Sequence, residues 1–372
     1  MNLTSKLEKY LADKQMVGCT AIIADKNQII DYALIGNQTL NAEKTSLNTI
    51  YRIASISKII VAMTVMTLYD EGKIDIEADI SNYLGFTLRN PNYPNDVITT
   101  KMVMTQTSSI SDSGVGTKGY DGVNQVDDYV KLEELFYNSN YFNTNTYSKN
   151  KPGTVFEYSN LGCGILACLV ERITKERFVE VVKERILKPL DILSGFRLED
   201  LAYPENLASH YLFYDNKFTL YRNYQKFLNV QSPKYPIGDN FRGVAGGLYI
   251  SGQDLTKIMQ MLINKGTYHG KQILKPSTVE LMEQVHWSGV PSDPTYRAKG
   301  LQMIIMNNFT KAPLYGHFGN AYGLRSFMLY SRELEKGIIF LCNGANFITD
   351  EEHMTILQEQ IINIMVDCAK MR

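Results

Sequence analysis

No charge of either sign dominates this sequence of 372 residues: 38 Lys+Arg stand against 39 Asp+Glu, a formal net charge of −1. Binding to a phosphate backbone needs a basic face. The chain has neither a basic stripe nor a long charge run, so nucleic acid is not an expected partner. Long apolar runs are also missing. The stretches at 59–68 and 162–170 are too short and too polar to span a bilayer, and no membrane span is expected. Cysteine is scarce and scattered (Cys19, Cys163, Cys168, Cys342 and Cys368), the count is odd, and no CxxC pair occurs. A disulfide scaffold and a zinc framework are thereby excluded, and the thiols read as reduced core residues. At the N-terminus, Leu3, Leu7, Tyr10 and Leu11 follow helical spacing with charges between them. That is an amphipathic helix without the apolar core of a signal peptide, which predicts a cytoplasmic protein. There is no internal repeat and no low-complexity tail.

What is present is globular in composition, with 44% hydrophobic and 21% charged residues. The length suggests two to three domains with a large core that needs no staples. Gly18–Asp25 and Gln28–Ile35 are short β-branched runs around an Asp25-Lys26-Asn27 turn, a hairpin pattern. From Ser55 the period changes, and Ile56, Ile59, Ile60, Met63 and Met66/Thr67 lie on one helical stripe ending at Glu71-Gly72. Further helical patterns cover 126–137, 161–173, 177–186 and 251–264, with Tyr- and Asn-rich loops at 137–151 and about 203–240. Strand patterns return at 300–306, 314–320, 324–331 and 337–343 as an antiparallel meander. Residues 350–369 read as a last amphipathic helix, with Asp350, Glu351 and Glu352 at its positive N-terminal end. Strands at both chain ends around a helical middle predict an α/β (α+β) fold. An antiparallel sheet flanked by helices (1–75 and 285–372) would carry an inserted, mainly helical domain (76–284).

A nucleophilic serine needs a group to take its proton. Ser-x-x-Lys at a helix start places both groups on one face, where the helix dipole favours an oxyanion. The pattern occurs twice. Ser148–Lys151 lies in a polar loop that runs into Pro152-Gly153, with no helix to fix the pair. Ser55–Lys58 opens the apolar helix, where partial desolvation would lower the pKa of the amine. Tyr158-Ser159-Asn160 follows a Pro152-Gly153 turn and precedes a helix. A tyrosine held near Lys58 would lose its proton more easily and serve as a general base, and Asn160 would bond a substrate amide. His317-Phe318-Gly319 falls in a late strand. His317 would orient a substrate carboxylate or the tyrosine, Gly319 would admit a ligand close to the backbone, and the N–H groups of Asn320 and Ser55 would form an oxyanion hole.

Taken in chain order, these motifs resemble those of the serine β-lactamase and penicillin-binding-protein superfamily. They are most similar to the branch with class C β-lactamases, D-alanyl-D-alanine carboxypeptidases, D-aminopeptidases and family VIII esterases. Tyr51-Arg52-Ile53-Ala54 before Ser55, Met104 to Ile110, Ala245 to Ser251 with Asp254-Leu255, and Gly316 to Asn320 carry the likeness across about 15–345. The resemblance implies a β-lactamase/transpeptidase-like fold with its cleft between two domains. Ser55 would be acylated, Lys58 and Tyr158 would share its proton, and Asn160, His317, Gly319 and Asn320 would hold the substrate. No cofactor and no metal are implied. The implied substrate is a small molecule or short peptide bearing an amide, ester or β-lactam, hydrolysed through the Ser55 acyl-enzyme. A carboxylesterase on the same site, or a penicillin-binding module with little turnover, are the alternatives. The sequence departs from the family pattern at His317 (often Lys), at Phe318, which lacks a hydroxyl that often binds the β-lactam carboxylate, and at Ser109 in place of Gly. Tyr322 would narrow the pocket.

Overall fold

A computed structural model describes residues 2–137, 139–290, 294–346 and 355–372. Eight strands form the main sheet: β1 (Gly18–Asp25), β2 (Ile29–Gly36), β3 (Trp287–Ser288), β4 (Ala298–Lys299), β5 (Ile304–Met306), β6 (Leu314–Ala321), β7 (Leu324–Ser331) and β8 (Lys336–Cys342). Their spatial order is β3-β4-β5-β6-β7-β8-β1-β2, and every pairing is antiparallel. The five longest helices are α1 (Leu3–Ala12), α2 (Ser57–Asp70), α3 (Asn160–Thr174), α4 (Gly252–Ile263) and α5 (Ile356–Ala369). Among the described residues no helix is long and apolar enough to cross a membrane.

The first hairpin follows from its turn chemistry, because the Asp25 carboxylate accepts from the Asn27 and Gln28 amides at 2.7 and 2.8 Å. On one face of the sheet, α1 and α5 bury Leu3, Leu7, Ile361 and Met365 against Ile23, Phe327 and Phe340. The other face packs α4 and, through it, the helical core around α2 and α3. All four cysteines outside α5 are buried free thiols, and Cys19 and Cys342 are partners across β1 and β8.

The α2 stripe read from the sequence is wider in the structure: every residue from Ser57 to Leu68 is buried. The helix is enclosed by α3, by the helical turns at 178–187 and by β6, so no face of it needs polar residues. Residues 126–137 do not form the expected helix; only a 3₁₀ turn, Leu132–Leu135, appears. Arg242 takes the carbonyls of Val126 and Asp128, both at 2.8 Å, and Asp239 takes the Leu132 amide at 3.0 Å, so the backbone partners a helix would use are already engaged. The expected loop at 203–240 contains a hairpin, His210–Tyr214 with Lys217–Arg222, turned at Asp215 and Asn216 with φ of 49° and 58°. Two left-handed residues fit the right-handed twist of a tight hairpin, a signal present in the Asp-Asn pair. The final helix begins at Ile356, and the expected start at Asp350 to Glu352 lies outside the described residues.

Two features bring the chain ends onto the helical middle. Ile50–Arg52 pairs with Tyr249–Ser251 in a two-stranded ribbon, and the Ile53 amide bonds the Leu248 carbonyl at 3.0 Å. β6 lies against the 3₁₀ turn Ala54–Ile56, where a Cβ at Gly319 would collide with the Ile53 carbonyl oxygen. It is therefore the chain's own backbone, not a ligand, that Gly319 admits. Gly319→Ala is expected to lower stability by about 1–3 kcal/mol through overpacking, and to displace the Ser55 turn. A denaturant midpoint unchanged from wild type would show that the contact tolerates a methyl group.

Candidate active site

Ser55 sits in the 3₁₀ turn just ahead of α2, not in the first turn of the α-helix itself. Ala54 before it has φ of 48°, a left-handed conformation that costs about 1 kcal/mol or more for a residue with a Cβ. The Ser57 hydroxyl holds the turn, donating to the Ala54 carbonyl at 2.6 Å and accepting from the Leu248 amide at 3.1 Å.

One turn along α2, Lys58 is fully buried. Its ammonium makes three bonds: to Ser55 Oγ at 3.0 Å, to Asn160 Oδ1 at 2.7 Å and to the Ala245 carbonyl at 3.1 Å. Tyr158 Oη donates to Ser55 Oγ at 2.7 Å, and Lys58 Nζ lies 4.8 Å from the Tyr158 ring centroid. Burial lowers the Lys58 pKa to about 8, against a smaller upward pull from Cys163 and Asp112. Tyr158 moves opposite to expectation. Burial pushes its phenol well up, and the bond to Ser55 offsets only part of that. In the resting site the dry surroundings favour a neutral phenol and an amine that readily sheds its proton.

Asn160 is used differently from the expectation of a free substrate-binding amide. Its Oδ1 faces Lys58, and its Nδ2 donates to Asp112 at 2.8 Å. Asp112 had no signal in the sequence. Its carboxylate also accepts from Ser159 Oγ and from the amides of Asn160 and Leu161 at 2.7–2.9 Å, so it closes the N-terminus of α3. The chain reaches Asp112 just after Ser109, which takes φ of 60° as the glycine it replaces would, with its hydroxyl bonded by Asn90 at 2.9 Å.

These groups open onto a cleft of about 1020 Å³ lined by Ser55, Tyr158, Asn160, Asn320, Tyr296 and Tyr322 among others. The Asn320 side chain accepts from Gln358 Nε2 at 2.7 Å. Tyr322 stacks on Tyr221 at 5.5 Å, with the Arg52 guanidinium 4.8 Å from its ring centroid, so it does form part of the cleft wall. Ser148 and Lys151 lie apart from this group: the Ser148 amide bonds Ser109, and Lys151 pairs with Asp96 at 3.1 Å.

His317 is not in the cleft wall. It is fully buried behind Tyr158 and Tyr296, 6.3 and 6.5 Å between ring centroids, and its Nδ1–H donates to the Phe318 carbonyl at 2.7 Å. Burial, with Lys299 and Lys58 nearby, drives its pKa well below the usual range, so it is neutral. A neutral, enclosed imidazole does not fit the carboxylate-orienting role expected of it. The cation at this end of the site is another residue that sequence reasoning missed. Lys299 on β4 is fully buried, its Nζ has no hydrogen-bond partner among the described residues, and it lies 5.3 and 5.7 Å from the ring centroids of Tyr296 and Phe156. Burial first, and Lys58 second, lower its pKa to about 7.

The family model described as Beta-lactamase matches residues 3–361. The chain belongs to the Beta-lactamase family. Among curated relatives, Protein flp of Staphylococcus aureus (strain N315) is 27% identical over 190 residues, covering 50% of this chain and 35% of its own. The chain thus spans about a third of the length of the curated relatives it matches first. Two solved structures share the fold. The octameric penicillin-binding protein homologue from Pyrococcus abyssi has a TM-score of 0.76 at 22% identity, over 99% of this chain and 76% of that one. D-amino acid amidase from Ochrobactrum anthropi SV3 has a TM-score of 0.73 at 16% identity, over 99% and 98%.

The Lys299 amine gives a stability prediction. With a pKa of about 7 folded against 10.5 for a free lysine, the unfolded chain holds more protons than the folded one between those values. Stability therefore rises with pH across that window, and the cost of the buried charge is complete below it. Lys299→Met is expected to melt a few degrees higher than wild type at pH 6, with the gap closing towards pH 10. A gap that stays constant with pH would mean that Lys299 keeps its proton in the folded chain as in the unfolded one, so that burial does not lower its pKa.

Proposed function

We propose that the protein hydrolyses a small amide, ester or β-lactam through an acyl-enzyme on Ser55. The observation that carries this reading is the contact of Ser55 Oγ with both Lys58 Nζ at 3.0 Å and Tyr158 Oη at 2.7 Å. Neutral Lys58 takes the hydroxyl proton as Ser55 attacks the substrate carbonyl, and the phenol of Tyr158 passes a proton to the leaving group. The same pair then activates water on the ester. Asn160 and Asp112 act as positioning residues that hold the amine on Ser55. The amides of Ser55 and Asn320 are the donors for the oxyanion, each worth roughly 10²–10³ in kcat.

We assign residues 1–75 and 285–372 to the sheet domain and 76–284 to the helical one, with the cleft between them. Support for this division comes from the sheet, whose strands lie within 18–36 and 287–342. Because His317 is neutral and enclosed, the third motif offers no cation to a β-lactam carboxylate. That favours peptide-like amides and esters over β-lactams as substrates.

Two measurements test the reading. With a short-chain nitrophenyl ester or a D-alanyl anilide, Ser55→Ala is expected to lose roughly 10⁴-fold or more in kcat, while Ser148→Ala stays near wild type. A dead Ser148→Ala beside an active Ser55→Ala would reverse the choice of nucleophile. The pH profile of kcat/KM should climb about tenfold per pH unit and level off near the lowered Lys58 pKa of about 8. A profile that is flat from pH 6 to 9 would remove Lys58 as the base.

A further inference from the structure

Beside the cleft lies a chamber of about 370 Å³, and the two voids share Arg52, Arg222 and Gly243 in their walls. The chamber is lined by five arginines, Arg52, Arg177, Arg197, Arg222 and Arg242, and by Lys234. In a chain of net charge −1, this is a local concentration of positive charge.

The charges are not cancelled within the wall. Only Arg197 is satisfied by carboxylates, bonding Asp200 and Glu180. Among the described residues the other four arginines make no ion pair. Arg52 gives Nε to the Gly246 carbonyl at 2.8 Å. Arg177 gives Nη1 to the Tyr235 carbonyl and to Asn240 Oδ1. Arg242 donates to two backbone carbonyls, and Arg222 only overlies the Tyr224 and Phe227 rings at 5.8 and 5.6 Å. The carboxylate in the chamber wall, Glu171, is fully buried, and its oxygens are taken by the Phe178 and Gly238 amides and by Asn240 Nδ2. Asp121 lies in the wall of the main cleft and does not line the chamber.

Backbone carbonyls and aromatic faces hold the guanidinium groups in place without neutralising them. Each arginine also keeps N–H donors beyond those it has used. One carboxylate would offset a single charge, whereas a phosphate monoester brings two charges and three acceptor oxygens that match the guanidinium fork. We propose that this chamber is a binding site for a phosphate group carried by the substrate of the adjoining cleft. The link to substrate rests on Ser55 being the nucleophile; the binding itself does not.

The test reads binding and turnover separately. In calorimetric titrations of the whole protein, glycerol 3-phosphate is expected to bind one to one, succinate more weakly and glycerol not at all. Arg222→Gln and Arg242→Gln should each weaken glycerol 3-phosphate binding by ~10-fold or more, the usual loss of one charged hydrogen bond. Arg222 is exposed, so its variant is expected to fold, and its melting temperature checks this. In parallel, the nitrophenyl ester of 3-phosphonopropionate should show a lower KM than the butyrate ester, an advantage that shrinks in Arg222→Gln. No heat with glycerol 3-phosphate, equal affinity for succinate, or binding unaffected by both substitutions would each overturn the proposal. Turnover of both esters with equal KM would overturn the link to substrate. Binding retained while neither ester turns over would support the chamber and count instead against Ser55.

Discussion

The site depends on how one amine is held. Lys58 lies in a fully enclosed position with three oxygen partners, none of them a carboxylate. An ammonium there loses its hydration and recovers only part of it, so the proton is loosely bound. Moving Asp112 from the second layer into direct contact would trap that proton. The interposed Asn160 amide passes on orientation without passing on a full charge. The strained Ala54 and the enclosed α2 serve the same end, presenting Ser55 Oγ to the amine at hydrogen-bond distance.

The groups legible in the sequence were those that local geometry brings together. Ser55 lies in the 3₁₀ turn that leads into α2, three residues before Lys58, and Tyr158 and Asn160 are two residues apart at the start of α3, so short spacing already encodes proximity. The hairpin at β1–β2 and the meander β6–β8 were legible for the same reason. Long-range partners were not. Asp112 caps a helix that begins 48 residues later. Arg242 removes a helix from 126–137 by binding carbonyls 114 and 116 residues away. Lys299 looks like any strand lysine until the rings of Tyr296 and Phe156 close over it. His317 was found in the right motif but on the wrong side of the wall, because strand alternation alone does not say how deep a side chain lies.

Net charge hides this arrangement. A total of −1 gives no hint that two amines, Lys58 and Lys299, are fully buried and that four arginines, with no carboxylate partner among the described residues, line a neighbouring chamber. Charge is distributed here by depth. Enclosed amines give up protons near neutral pH, whereas guanidinium groups, whose pKa is too high to yield, stay cationic where water still reaches.

The pairing of β1 with β8 sets an order of assembly. Cys19 meets Cys342 across more than three hundred residues, so the first hairpin has no neighbour on that side until residues 336–342 have been synthesised. A connection of that span is slow to close, because its entropy is lost before its contacts form. During translation the helices around α2 can collapse early, while β1 waits with one edge unpaired, a template for pairing with other chains. The turn that carries Ser55 likewise gains its β6 neighbour only after residue 321 has been made, so the cleft takes shape late, as the sheet closes around it.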